Sequence, residues 1–214
     1  PAIAEESLRR LKAAQTATKS DITVVEIGGT IGEYQNAIFI EAARQLKLRQ
    51  PADVIFVLVS YLPVPRKLGE MKTKPTQAAV QTMNSYGVHP DIIIARSDRP
   101  LDQERKAKIA LASNITAESI ISAPDVESIY DIPVNFEKDK LSDTVLRKLS
   151  LRPRGTDLQE WKAMAGRMKT AAKPLKIAVV GKYFKTGDFV LADAYISVIQ
   201  ALRHAAAKLG RALD

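Results

Sequence analysis

Four short apolar runs, each followed by a polar cluster and then a helical pattern, constrain this chain more than any other feature. Residues 53–61 (DVIFVLVSY) are the clearest. A continuous run rich in β-branched side chains predicts a strand buried on both faces, as in a parallel sheet. Residues 91–95 and 119–122 repeat the pattern in shorter form. Residues 21–30 (DITVVEIGGT) give another run, stopped by Gly28 and Gly29. Helical spacing occupies residues 5–17, residues 37–49, the stretch from the 72–77 loop to about Tyr86, and residues 101–112. Strand and helix in alternation predict an α/β domain built on a doubly wound parallel sheet.

The character changes over residues 131–174, where Pro133, Pro153 and Pro174 punctuate the sequence. Helices are expected around residues 143–149 and 157–172, the second carrying the single tryptophan, Trp161. This stretch reads as a linker. Residues 175–183 then predict a strand and turn, and residues 191–209 a long helix: the first β–α unit of a second domain. The expected division is 1–132, 133–174 and 175–214. The start at Pro1 rather than Met, and the lack of any terminal signal at Asp214, read as a fragment or a processed product.

Composition narrows the partners. The 214 residues include no cysteine, which excludes disulfides, thiolate metal sites and a cysteine nucleophile within this sequence. Lys and Arg outnumber Asp and Glu by 32 to 24, a net charge of +8 that suits polyanions. Aromatic residues are only 6% of the chain, without the basic–aromatic interleaving of single-strand binders. A small anionic ligand is expected rather than nucleic acid. No apolar run is long enough to span a bilayer, so no membrane partner is expected.

The polar clusters carry the chemistry. Lys72 and Lys74 are two apart, and in an extended segment both point to one side. Pro75 suits a first helical position. With the hydroxyls of Thr73 and Thr76 and the first N–H groups of the helix, this stretch suits an anion such as a phosphate. A capped helix start with a solvated basic loop explains the same residues. Glu26 interrupts an apolar run beside two glycines; a carboxylate there is costly unless paired, protonated or bound to a metal, and either a salt-bridged or solvent-exposed edge Glu or a metal or substrate contact explains it. The clusters at Glu26–Thr30, Lys72–Gln77, Arg96–Arg99 and Pro124–Val126 all follow expected strand ends, the edge where open α/β sheets bind ligands. There is no G-x-x-x-x-G-K-[ST] phosphate loop in the chain. Gly181 and Lys182 read as a turn, and His89 and His204 as structural or surface residues.

The motifs VEIGGTIG (25–32), KTKPTQ (72–77), RSDR (96–99) with AKIAL (107–111), VESIY (126–130) and IAVVGKY (177–183) together resemble the CTP synthase family, in its order and spacing. That family aminates UTP to CTP with ATP and glutamine-derived ammonia, through a UTP phosphorylated at O4. The resemblance implies the later part of a P-loop NTPase-like amidoligase (synthetase) domain, a linker, and the start of a class I glutamine amidotransferase-like glutaminase domain. The family's phosphate loop and a magnesium-binding Asp would lie upstream of Pro1, and its glutaminase triad downstream of Asp214, so the chain alone would be inactive. By the same resemblance Glu26 is a Mg2+ ligand. Glu33, Tyr34 and Gln35 match a loop that contacts UTP or the inhibitor CTP, although this trio departs from the Asp-Ile-Glu of well-known bacterial members. Lys72, Thr73, Lys74, Pro75, Thr76, Gln77 and Lys108 match the UTP/CTP triphosphate site. Pro124, Asp125 and Val126 match the ATP adenine contact, with Pro124 standing where some members have Lys. A cytoplasmic homotetramer, with filaments, is implied. The alternative is a non-catalytic nucleotide-binding or filament-forming homologue.

Overall fold

The computed structural model describes residues 2–65, 69–155, 157–171, 173–182, 185–186, 189–190 and 194–213. In chain order these form α1 (Ala2–Thr18), α2 (Ala37–Arg49), β1 (Val57–Tyr61), α3 (Lys74–Ser85), β2 (Ile92–Ser97), α4 (Gln103–Ser113), β3 (Ile120–Pro124), α5 (Ile132–Lys138), α6 (Leu141–Lys148), α7 (Gln159–Thr170), β4 (Lys173–Leu175), β5 (Lys185–Thr186), β6 (Phe189–Val190), α8 (Ile196–Lys208) and β7 (Arg211–Leu213). The chain forms two compact units, residues 1–126 with 135–154, and residues 127–134 with 155–214.

The first unit is an α/β structure around a three-stranded parallel sheet in the order β1-β2-β3. The β2 strand is the middle member, with Ile93 level with Leu58 on one side and Ile120 on the other. Leu58, Ile93, Ala95 and Ile120 share one face of the pleat, and Val80 of α3 with Ile109 and Ala110 of α4 pack against it. The α4 helix begins where Asp102 accepts a hydrogen bond from the Arg105 backbone N–H, and ends at Asn114 in the left-handed region. Lys106 of α4 is buried at 6% exposure and pairs with Asp139 at 2.6 Å. The other Asp139 oxygen accepts from the Ser122 N–H at 2.6 Å, fastening the segment after α5 to β3. The α1 helix packs on α2 and is tied to it by Arg49 and Glu5 at 2.5 Å.

Two strand expectations fail here. Residues 21–30 form no strand; the segment is exposed throughout, with Val24 91% open. Its apolar run reports what side chains favour, but a strand also needs a neighbour for its N–H and C=O groups, and β1 stands at the sheet's edge without pairing to it. Residues 53–61 form a strand only from Val57 onward, and it is not buried on both faces, since Val57, Val59 and Tyr61 are exposed. The helices expected at 37–49 and 101–112 form as α2 and α4, and the helix starting at the 72–77 loop forms as α3. One helix was not expected: α5 carries Pro133 as its second residue, where the missing N–H breaks no hydrogen bond.

In the second unit, Tyr130 is the junction. The Trp161 indole N–H donates to its carbonyl at 2.7 Å, its hydroxyl donates to Gln200 Oε1 at 2.9 Å, and His204 Nε2 lies 2.5 Å from the same hydroxyl. Lys169 pairs with Asp131 at 2.7 Å. The strand expected over 175–183 is displaced: β4 begins at Lys173 and pairs in parallel with β7, while residues 176–180 are coil, exposed except for the half-buried Val179. Pro174, read as a linker residue, lies inside that edge pairing. Tyr183 and residues 191–193 lie outside the described residues, and the expected last helix is described as α8 from Ile196. Among the described residues no helix is long and apolar enough to cross a membrane.

Ile93 and Ile120 are fully buried at the centre of the sheet. Replacing either by Ala is expected to cost about 2–5 kcal/mol through lost burial and a residual cavity, read as a lowered denaturant midpoint at unchanged m-value.

Candidate nucleotide site

Three of the four polar clusters meet on the C-terminal edge of the sheet, because β1, β2 and β3 run parallel and each ends there. Direct bonds tie the three strand ends together, and the Lys72 N–H donates to the Pro63 carbonyl just after β1 at 2.9 Å. The Leu62 N–H donates to the Arg96 carbonyl at 2.8 Å and the Asp125 N–H to the Ser97 carbonyl at 2.8 Å. The Tyr61 hydroxyl donates to Asp98 Oδ1 at 2.8 Å, a bond that raises the tyrosine pKa above its ordinary value. Arg96 faces Asp125 at 4.0 Å. Glu26 and its glycines do not follow a strand, so they do not join this edge in the way the spacing predicts.

The 72–77 segment takes the form the sequence suggests. Helix α3 starts at Lys74 with Pro75 in its first turn. Burial alternates along the approach: Met71 and Thr73 are buried, Lys72 is half-buried and Lys74 is exposed. The two lysines are thus available outside while the residues between and before them anchor the loop. Thr73 and Thr76 are both buried, and their hydroxyls meet protein groups: Thr73 Oγ1 accepts from the Gln77 amide at 3.2 Å, and Thr76 Oγ1 lies 2.8 Å from Ser60 Oγ of β1. That contact pins the helix start to the sheet. The first N–H groups of α3 precede the intrahelical ladder, which opens with the Gln77 N–H donating to the Thr73 carbonyl at 3.1 Å.

Lys108 lies exposed on α4, one turn after Arg105. It belongs to the same electrostatic neighbourhood as Lys72. The Glu70 carboxyl is held below its ordinary value first by a hydrogen bond from Lys72, then by the charge of Lys72, with smaller contributions from Arg105 and Lys108. Arg99 donates to the carbonyl of Gly69. Arg105 had no role in the sequence reading; Arg99 entered it only as the end of the Arg96–Arg99 cluster, and Glu70 only as the residue that opens the stretch running to Gln77. The three-residue spacing of Arg105 and Lys108 on one helix face was the signal that could have found Arg105.

The 28–36 segment is a turn closed on itself. Glu33 Oε1 accepts from the Thr30 N–H at 2.9 Å and Oε2 from the Gln35 amide at 2.9 Å. Tyr34 is exposed at the start of a single 3-10 turn, Tyr34–Asn36. Gly29 has φ +83°, and a Cβ there would lie 2.5 Å from Glu33 Oε2 and 2.8 Å from Asn36 Nδ2. Gly29 is therefore a requirement of this turn. Glu26 is exposed, and among the described residues no group of three or more acidic or imidazole side chains gathers to hold a metal. A lone accessible carboxylate fits an ion that takes most of its ligands from phosphate and water, as Mg2+ does. Pro124 ends β3, and Asp125 and Val126 continue from it, with the Asp125 side chain reaching toward Arg96.

Gly29→Ala is expected to cost about 1–2 kcal/mol, the strain of an L side chain in this backbone region, and to release the Thr30 amide from Glu33. Faster hydrogen exchange at Thr30 together with a lowered denaturation midpoint would report both effects.

Residues 1–151 match a sequence model of the family described as CTP synthase N-terminus. The chain is 43% identical over 206 residues to the CTP synthase of Pyrococcus abyssi, covering 96% of this chain and 37% of that protein. It is 41% identical over 209 residues to the CTP synthase of Sulfolobus acidocaldarius, covering 98% and 39%. It is 40% identical over 206 residues to the CTP synthase of Listeria monocytogenes, covering 96% and 38%. The chain thus spans less than two-fifths of the length of these relatives. With an α/β unit on a parallel sheet and a family match across most of its length, the chain belongs to the CTP synthase family, through that family's N-terminal, synthetase portion.

Proposed function

We propose that this chain supplies the UTP/CTP and ATP contacts of a CTP synthase, a ligase that aminates UTP with ammonia from glutamine at the expense of ATP. The observation that carries the reading is the placement of Lys72 and Lys74 at the start of α3, with Lys108 of α4 in the same cationic neighbourhood. Two exposed or half-exposed ammonium groups before the free N–H groups of a helix start suit a triphosphate. Thr73, Pro75, Thr76 and Gln77 hold that helix start in place. Asp125, on the same sheet edge, takes the adenine side of ATP with Pro124 and Val126. Glu33, Tyr34 and Gln35 form the loop facing the pyrimidine nucleotide.

Glu26 would hold a magnesium ion jointly with the nucleotide phosphates, and the ion would neutralise charge on the transferring phosphoryl group. The residues of this chain act by binding and positioning: Lys72, Lys74 and Lys108 fix the UTP triphosphate so that the uracil O4 faces the ATP phosphate. In this reading residues 1–132 are the later part of a P-loop NTPase-like, doubly wound amidoligase domain, residues 133–174 a linker, and residues 175–214 the start of the glutaminase domain. The active assembly is a homotetramer with the UTP site completed across a subunit interface.

The test is calorimetric titration of UTP and CTP, with magnesium, into the full-length protein, alongside an assay of ATP- and glutamine-dependent CTP formation. Lys72→Ala and Lys74→Ala are each expected to weaken UTP and CTP binding about tenfold, the loss of one charge-assisted contact, with unchanged circular dichroism. Wild-type nucleotide affinity in both folded variants would remove the triphosphate assignment.

A further inference from the structure

Glu70 precedes the KTKPTQ segment by two residues, and its carboxylate accepts a hydrogen bond from Lys72 Nζ at 2.8 Å. Both side chains remain open to solvent. Arg99 reaches the carbonyl of Gly69, the residue before Glu70. From α4, Arg105 and Lys108 add their charges to the field at Glu70. Asp102, a nearby acid on the same stretch, is engaged by the backbone and guanidinium of Arg105. One carboxylate therefore holds Lys72, a cation assigned above to a triphosphate, and feels the charge of Lys108, another.

We propose that Glu70 is an internal counter-ion of the nucleotide site, occupying Lys72 in place of a phosphate oxygen until a polyphosphate displaces it. The inference rests on the reading of Lys72 as a triphosphate ligand. Carboxylate and phosphate oxygens are the same kind of acceptor for an ammonium group. Both cannot take Lys72 without bringing two anions together, so the acid competes with the ligand. The pair is exposed, and exposed pairs are weak and screened. Glu70 therefore lowers affinity without closing the site, and it favours release of the nucleotide over prolonged occupancy.

The experiment titrates UTP and, separately, inorganic tripolyphosphate into the full-length protein at fixed low ionic strength. Glu70→Gln and Glu70→Ala are each expected to tighten both ligands about two- to fivefold, the range of an exposed ion pair. Glu41→Gln makes the same change of net charge on α2, where Glu41 pairs with Arg44, and is expected to leave both affinities unchanged. Unchanged or weaker binding in the Glu70 variants, with Lys72→Ala still weakening it, overturns the counter-ion role and leaves the triphosphate assignment standing. Equal tightening by Glu41→Gln overturns it as well, as a bulk-charge effect. Unaltered binding in Lys72→Ala overturns both readings.

Discussion

The pairing of β2 with a parallel strand on each side is the constraint from which the first unit follows. Because all three strands run the same way, the chain must cross back after each one, and α3 and α4 are those crossovers. The crossovers cover the face holding Ile93 and Ala95. Parallel direction also puts every strand exit on one edge. Tyr61, Asp98, Arg96 and Asp125 come together for that reason, although more than sixty positions separate the first from the last. Ser97, fully buried at the end of β2, holds this edge with its carbonyl on the Asp125 N–H and its hydroxyl on the Arg99 carbonyl at 2.7 Å.

The start of α3 shows how the fold divides labour within one short motif. Thr73 and Thr76 are buried, Thr76 holding the helix to β1 through Ser60 and Thr73 bonding the Gln77 amide, while Lys74 is exposed and Lys72 half-buried. Alternating side chains on a turn between strand and helix make both possible at once. One short motif therefore does two jobs: some positions are left open to solvent, and others hold the segment still.

Much of this was legible in the sequence, and the failures have physical causes. Strands β2 and β3 and helices α2, α3 and α4 were readable because their apolar spacing matched the burial they found. Residues 21–30 were misread because hydrophobic pattern cannot report whether a backbone partner is present. Pro133 was read as punctuation because a proline breaks a helix only past its first turn. Of the site, Lys72, Lys74, Lys108 and Asp125 were named in advance. Arg105 was not, and Glu70 had been given no role of its own, since the charges of α4 reach the loop before α3 only in the fold and no local pattern encodes that meeting. The hydroxyls of Thr73 and Thr76 looked like ligand contacts for the opposite reason: composition gives their chemistry but not their direction.

The apolar side chains left open on β1 and along residues 22–27 have a practical consequence. Val24, Val25, Val57 and Val59 together present aliphatic surface to water, and surface of this kind drives association between molecules. A net charge of +8 opposes such association at low salt, and screening weakens that repulsion as salt rises. The salt concentration, through that screening, therefore sets the balance between self-association and repulsion for these exposed valines.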